Sequence, residues 1–170
     1  MTQRTEDAVE ANRATPCPFN VGLPLLAALG MIHGGDEDSA TRLEAKAETF
    51  GMVGYARIHL ARTIPLAVIR QDRAEVRRLL DSIQPGWLTG GAWEQLAAVF
   101  DALVFLNDRG RIEAEAPPWV RPDSYVAPFA VRALGVARAD QTLLDDAVHR
   151  FEAMGMAWHA EQTRRMLGGA

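Results

Sequence analysis

Residues 134–151, LGVARADQTLLDDAVHRF, contain an apolar helical run, then one aspartate, then a second and shorter helical run. The same order occurs three more times, so that aspartates recur at spacings of 36, 36 and 32 residues: Asp36, Asp72, Asp108 and Asp140. A period in the mid-thirties is typical of stacked helix–turn–helix units. We therefore predict an all-α fold, built as a quasi-linear array of helical hairpins rather than around an enzyme core.

Glycine and proline residues mark the ends of the predicted helices. The pattern predicts helices near residues 20–33, 37–50, 54–70, 73–84, 91–107, 109–116, 123–139, 141–154 and 157–168. Strand signals are absent from the sequence, because no stretch alternates cleanly with β-branched residues between turns. We expect about four hairpins, with the last helix forming a polar cap on the open end of the array.

Length and composition fit one globular domain. The chain has 170 residues, of which 48% are hydrophobic, and a formal net charge of −4. Residues 1–18 are polar and end in Pro16-Cys17-Pro18, so we expect a loose lead-in there. Residues 19–170 are then predicted to form a single helical-repeat domain.

Charge, cysteine content and hydropathy exclude several classes of function. The acidic balance argues against a nucleic-acid partner, because a general nucleic-acid surface needs an excess of basic residues. The single cysteine, Cys17, excludes an internal disulfide framework. No segment has the apolar core of a signal peptide or the roughly 18 apolar residues of a membrane span. We expect a cytoplasmic protein without a membrane partner.

Residues that could carry chemistry are scattered along the chain. None of the histidines has a second histidine at the i, i+4 spacing of a helical zinc motif: His33, His59, His149 and His159. No cysteine or carboxylate cluster accompanies them, so we predict no metal site. The glycines of residues 30–35 follow a helix rather than a strand, which argues against a nucleotide loop. We expect no enzymatic activity and no cofactor.

The last full hairpin resembles the tetratricopeptide repeat. Leu134-Gly135, Ala147 and Phe151 stand at the spacings of that pattern. Three other positions depart from it: Val131, Arg138 and His159. A four-residue pattern also recurs after 68 residues, twice the family's repeat length: Leu66, Val68, Arg70 and Asp72 correspond to Leu134, Val136, Arg138 and Asp140.

Residues 16–167 also resemble the C-terminal helical-repeat region of large bacterial signalling proteins that combine a nucleotide-cyclase domain with an ATPase domain. The resemblance rests on Pro16-Cys17-Pro18-Phe19-Asn20 and on the closing stretch 133–167. No cyclase signature and no GxxxxGK[ST] phosphate loop occurs in the sequence. The resemblance therefore implies the repeat architecture and a regulatory or scaffolding setting, not cyclase or ATPase activity.

In a helical array of this kind the first helix of each hairpin lines the concave face, where a partner segment binds. Arg57, Arg62 and Arg132 lie on such helices, and Arg70 and Arg138 lie at their ends. An acidic or C-terminal peptide would suit these side chains through charge-assisted hydrogen bonds. The alternative is that they pair with acidic residues of the chain itself or are simply solvated. We predict a non-catalytic protein–protein interaction or scaffolding module, with Arg57, Arg62 and Arg132 as its partner-binding residues.

Two other functions stay open. Apolar residues in or near the connections could form the face of a homodimer: Trp87, Trp119, Val120 and Met156. A groove between helices could instead hold a small molecule, which would make the domain a sensor. A series of aromatic residues begins the longer helices and is predicted to wedge against the preceding hairpin: Tyr55, Trp93, Tyr125 and Trp158.

Overall fold

The computed structural model describes residues 2–11, 18–50, 56–83 and 93–168. Within these ranges the regular structure is α-helical, apart from a short 3-10 helix at Pro117–Trp119, and there is no strand. The all-α prediction is confirmed. No helix in the described ranges is long and apolar enough to cross a membrane.

The chain forms two compact units, Met1–Gln84 and Pro85–Ala170, where the sequence predicted one domain over residues 19–170. The helices of the N-terminal unit are α1 (Thr2–Ala11), α2 (Pro18–His33), α3 (Glu37–Glu48), α4 (Ala56–Ile69) and α5 (Arg73–Asp81). Those of the C-terminal unit are α6 (Trp93–Leu106), α7 (Arg109–Glu115), α8 (Ala127–Arg138), α9 (Gln141–Ala153) and α10 (Ala157–Gly168).

The N-terminal unit is organised around α2, which packs against α1, α3 and α4. Its core cluster comes from three helices: Val21, Leu25, Ala28, Ala40, Leu43, Ala47 and Leu66. Helix α1 occupies residues that the sequence predicted to be a loose lead-in. The stretch contains neither glycine nor proline, so nothing in its residue types breaks a helix before Pro16.

In the C-terminal unit, α8 is surrounded by its neighbours. It packs against α6, α7 and α9, and α10 packs on α9. All of its residues except Val136 and Arg138 are buried. A helix enclosed in this way must be apolar around most of its circumference, as the sequence of α8 is.

Four turns between helices share one backbone geometry. The residue before each aspartate has a positive φ: Gly35 (81°), Gln71 (58°), Asn107 (56°) and Ala139 (53°). The amide of the following aspartate then donates to a carbonyl five residues earlier, as from Asp140 to Gly135 at 2.9 Å. This is the Schellman ending of a helix. A fifth turn, at Gly155, has the same geometry without an aspartate.

Each of these aspartates caps the helix that follows it. The Asp36, Asp72 and Asp108 carboxylates accept a backbone hydrogen bond from the residue three positions later, over 3.0, 2.9 and 3.1 Å. The Asp140 carboxylate accepts from the amides of Thr142 and Leu143. All four aspartates are therefore helix N-caps.

Candidate functional site

The three arginines predicted to bind a partner have different surroundings. Arg57 lies on α4, and its side chain is outside the described part of the chain. Arg62, also on α4, is half-buried. Its guanidinium lies beside Gly22 of α2, where an added Cβ would be 3.4 Å from Cζ of Arg62. Arg132 belongs to the C-terminal unit, and its side chain is only 2% exposed.

Arg132 is a core residue rather than a surface contact. Its guanidinium forms an ion pair with Asp101 of α6 and lies 3.5 Å from Oγ1 of Thr163 on α10. The rings of Phe129 and Phe151 are 5.4 and 4.9 Å from its Cζ, within cation–π range. A partner cannot reach this side chain, so the structure corrects the prediction for Arg132.

The arginines at the helix ends pair within their own units. Arg70 donates to Glu37 and Glu44 of α3, over 2.6 and 2.7 Å. Arg138 donates two hydrogen bonds to Glu113 of α7, which lowers the pKa of that carboxyl. In both units the arginine therefore contacts the helix of the preceding hairpin, and the 68-residue correspondence has a structural counterpart.

A cavity of about 350 Å³ lies between α2, α3, α4 and α5 of the N-terminal unit. Its apolar walls come from Val21, Leu25, Ala47, Leu66, Ala67 and Leu79. Helix α4 and the residue after it supply a polar stripe, because His59, Thr63 and Arg70 are spaced so as to lie on one side of a helix. The Thr63 hydroxyl donates to the carbonyl oxygen of His59, one turn earlier.

His59 is the most unusual residue of this cavity. It is 7% exposed, and neither ring nitrogen has a hydrogen-bond partner in the structure described. Burial lowers the pKa of His59 below its ordinary value, and the charge of Arg62 lowers it further. The imidazole is therefore neutral at pH 7, with one nitrogen able to donate and the other able to accept.

Glu44 contributes a third atom that has no hydrogen-bond partner among the described residues. Its Oε2 accepts from Arg70 at 2.7 Å, whereas Oε1 is buried and has no hydrogen-bond partner in the structure described. The hydrogen bond to Glu44 is also the main reason that the pKa of Arg70 is raised. A buried acceptor without a donor is uncommon in folded proteins, and it marks a place where a ligand can bind.

The cavity lining is acidic. Four carboxylates belong to it, those of Glu44, Glu48, Asp72 and Glu75, against the two guanidinium groups of Arg70 and Arg78. With His59 neutral, the lining therefore has a net charge of −2. The Arg78 guanidinium is held by Glu75 in a two-point contact of 2.6 and 2.5 Å.

The sequence allowed for a groove between helices but did not predict the position or the lining of this cavity. In the sequence His59 is one of four isolated histidines, and no motif distinguishes Glu44 from the other glutamates. The signal available was the polar stripe of α4, but the burial of a stripe depends on neighbouring helices. No group of three or more His, Cys, Asp or Glu residues within the described ranges is placed to hold a metal ion.

The apolar residues predicted to form a dimer face are only in part described. Trp119, Val120 and Met156 are half-buried, and Trp87 lies outside the described ranges. Two of the four predicted aromatic wedges, Trp93 and Trp158, are 54% and 49% exposed, whereas Tyr125 is half-buried beside Phe129. Tyr55 lies outside the described ranges. Self-association stays a prediction.

No family model matches the chain, and no curated protein or solved structure matches it either.

Proposed function

We propose that the chain is a non-catalytic interaction module that binds a segment of a partner protein through its N-terminal unit. The observation that carries the proposal is the cavity with two buried polar groups, the His59 imidazole and Oε1 of Glu44, that have no hydrogen-bond partner among the described residues. Leaving a buried polar group without a partner costs about 1–3 kcal/mol. A bound group that forms these hydrogen bonds would recover that cost, which supports ligand binding at this place.

The helical architecture supports binding rather than catalysis. Short, capped turns hold the helices that line the cavity, so the side chains are positioned before a partner arrives. As part of the proposal, the hairpins stack in the manner of tetratricopeptide repeats. Their regulatory or scaffolding setting is that of the bacterial signalling proteins that the sequence resembles.

Selection of peptides on the full chain tests the proposal. A display library of random dodecapeptides would be selected against the protein, and an enriched peptide would be synthesised and its affinity measured by fluorescence polarisation. Thr63→Phe, a half-buried position that lines the cavity, should weaken binding at least tenfold by filling it. Ala45→Phe on the exposed side of α3 is the matched control and should leave the affinity unchanged.

Circular dichroism would show that both variants fold, and Thr63→Leu replaces the first variant if it does not. Failure to enrich any peptide, or equal affinity for the wild type and a folded cavity variant, would overturn the proposal.

The same cavity favours a second function, the sensing of a small molecule. Its volume, about 350 Å³, is within the range of small-ligand pockets. A thermal-shift screen of metabolites and nucleotides would test this function. Stabilisation of the wild type that is lost in Thr63→Phe would support it, and no stabilisation by any compound would count against it.

A further inference from the structure

We infer that the group bound in the N-terminal cavity is a primary ammonium on an aliphatic stem, supplied by a lysine side chain of the partner segment. The inference rests on the proposed function of the cavity and adds the chemical class of the bound group. It reverses the charge of the partner expected from the sequence, which was an acidic peptide bound by arginines.

The charge of the lining favours a cation. Its net charge of −2 includes Arg70 and Arg78, whose guanidinium groups are already bonded to glutamates. The positive charge of Arg62 acts on His59, so Arg62 is a nearby cation that partly offsets the negative charge of the lining. Including Arg62 still leaves one negative charge. An anionic ligand would instead meet the carboxylates of Glu48 and Asp72, while both arginines of the lining are already bonded to glutamates.

The unpartnered atoms favour a donor. Glu44 Oε1 is an acceptor only, and neutral His59 has one nitrogen that accepts. An ammonium group has three donors and no acceptor. Its three N–H groups can rotate toward acceptors that do not lie in one plane, unlike the fixed planar donors of a guanidinium. A carboxylate or phosphate would bring acceptors and leave Oε1 of Glu44 unpartnered.

The apolar walls favour a stem attached to the ammonium. Leu25, Leu66 and Leu79 form an apolar wall of this cavity of about 350 Å³, and a lone ion would make no favourable contact with that wall. A lysine side chain buries its methylenes along apolar surface while its charged end reaches polar groups. The lining thus matches both ends of that side chain.

Methyl NMR of the full chain tests the inference with three defined probes. Butylammonium carries the proposed group, N-acetyl-lysine-N′-methylamide carries it as a peptide would, and pentanoate carries the opposite charge on a similar stem. We expect both amines to shift the methyl signals of Leu25, Leu66 and Leu79 saturably. The lysine derivative should bind at least as tightly as butylammonium, and pentanoate should leave these signals unchanged.

Two glutamate variants form a matched pair for this test. Glu44 and Glu37 both accept from Arg70, but only Glu44 lines the cavity. Glu44→Gln should therefore weaken binding of the lysine derivative roughly tenfold, by loss of a charge-assisted hydrogen bond. Glu37→Gln should leave the affinity within twofold of the wild type, and circular dichroism of both variants would confirm that they fold.

The outcomes separate this inference from the proposed function. Preferred binding of pentanoate would overturn the cationic ligand while leaving the cavity as a binding site. Binding of butylammonium but not of the lysine derivative would overturn the peptide as its source and indicate a free amine. Equal weakening by both glutamate variants, or no shift with any probe, would overturn the inference, whereas the peptide selection tests the cavity independently.

Discussion

At the scale of single residues, the aspartate of each hairpin turn joins two helices. Its backbone amide donates a hydrogen bond to a carbonyl at the end of the preceding helix. Its carboxylate accepts from a backbone amide in the first turn of the next helix, which has no partner within that helix. Asparagine, serine or threonine could also cap in this way, but an anion interacts more favourably with the helix N-terminus. The recurrence of aspartate is therefore structural.

Removal of one cap should lower stability measurably. Asp140 caps α9 with two hydrogen bonds, so we expect Asp140→Ala to lower the free energy of unfolding of the C-terminal unit by about 1 kcal/mol. Urea denaturation followed by tryptophan fluorescence would measure the change. Asp145→Ala, at an exposed position within the same helix, is the control and should cause no loss.

His59 should make the stability of the N-terminal unit depend on pH. Its pKa is lowered in the folded state, so the unfolded chain takes up a proton first as the pH falls below about 6.5. Stability then decreases toward acid pH, by at most about 1.4 kcal/mol per pH unit for one proton. His59→Gln should remove this component when urea unfolding is followed by circular dichroism at pH 7, 6 and 5. An unchanged pH dependence in that variant would contradict the assignment.

At the scale of helices, the approach of α8 to α9 depends on a glycine. A Cβ added at Gly135 would lie 2.9 Å from side-chain carbons of Leu144 and 3.1 Å from its backbone nitrogen. Such contacts are too short, and the backbone of a packed helix has little freedom to move. The Leu134-Gly135 pair that resembles the tetratricopeptide pattern is thus explained by close helix packing.

We expect Gly135→Ala to destabilise the C-terminal unit by about 1–3 kcal/mol through overpacking. Gly110 on α7 is the contrasting case, since the nearest atom to an added Cβ is 3.9 Å away. Gly110→Ala should therefore stabilise the unit by roughly 0.5–1 kcal/mol, because alanine favours the helix. Urea denaturation would measure the free energy of unfolding of both variants. A decrease for Gly135→Ala with an increase for Gly110→Ala would confirm the packing argument, and changes in the same direction would contradict it.

The buried ion pair of Arg132 and Asp101 connects α8 with α6. Breaking it with Asp101→Ala would leave a guanidinium buried between Phe129 and Phe151, so we expect a loss of roughly 3 kcal/mol. The double variant Arg132→Met/Asp101→Leu replaces both charges with apolar groups and should recover most of that loss. A double variant no more stable than Asp101→Ala, measured by urea denaturation, would show that the pair itself is required.

At the scale of the whole molecule, the two compact units each contain a core. All four tryptophans fall within residues 85–170: Trp87, Trp93, Trp119 and Trp158. Tryptophan fluorescence therefore follows the C-terminal unit, whereas circular dichroism follows the helices of both.

This distribution gives a test of how the units unfold. Asp72→Ala removes the cap of α5 in the N-terminal unit, so it should lower the unfolding midpoint measured by circular dichroism. The midpoint measured by tryptophan fluorescence should stay the same. If both midpoints fall together, the chain unfolds as one cooperative body and the two units are not separate in stability.

Local chemistry explains what could be predicted from the sequence. Helices, turns and caps depend on neighbours within about five residues, as at Asp140 and Gly135, so their residue types and period predict them. The helix over Thr2–Ala11 was not predicted, because this polar stretch lacks a clear apolar stripe. It forms a helix that packs on α2.

The sequence by itself determined the all-α architecture, the repeated turns and the aspartate caps, because each follows from local backbone geometry. Only the tertiary structure decided which polar side chains are buried. Arg132 and His59 both lie on apolar helices, yet one is enclosed with Asp101 and the other lines a cavity without hydrogen-bond partners in the structure described. That difference depends on helices distant in the sequence, whose packing sets the dielectric surroundings and the available partners of each side chain.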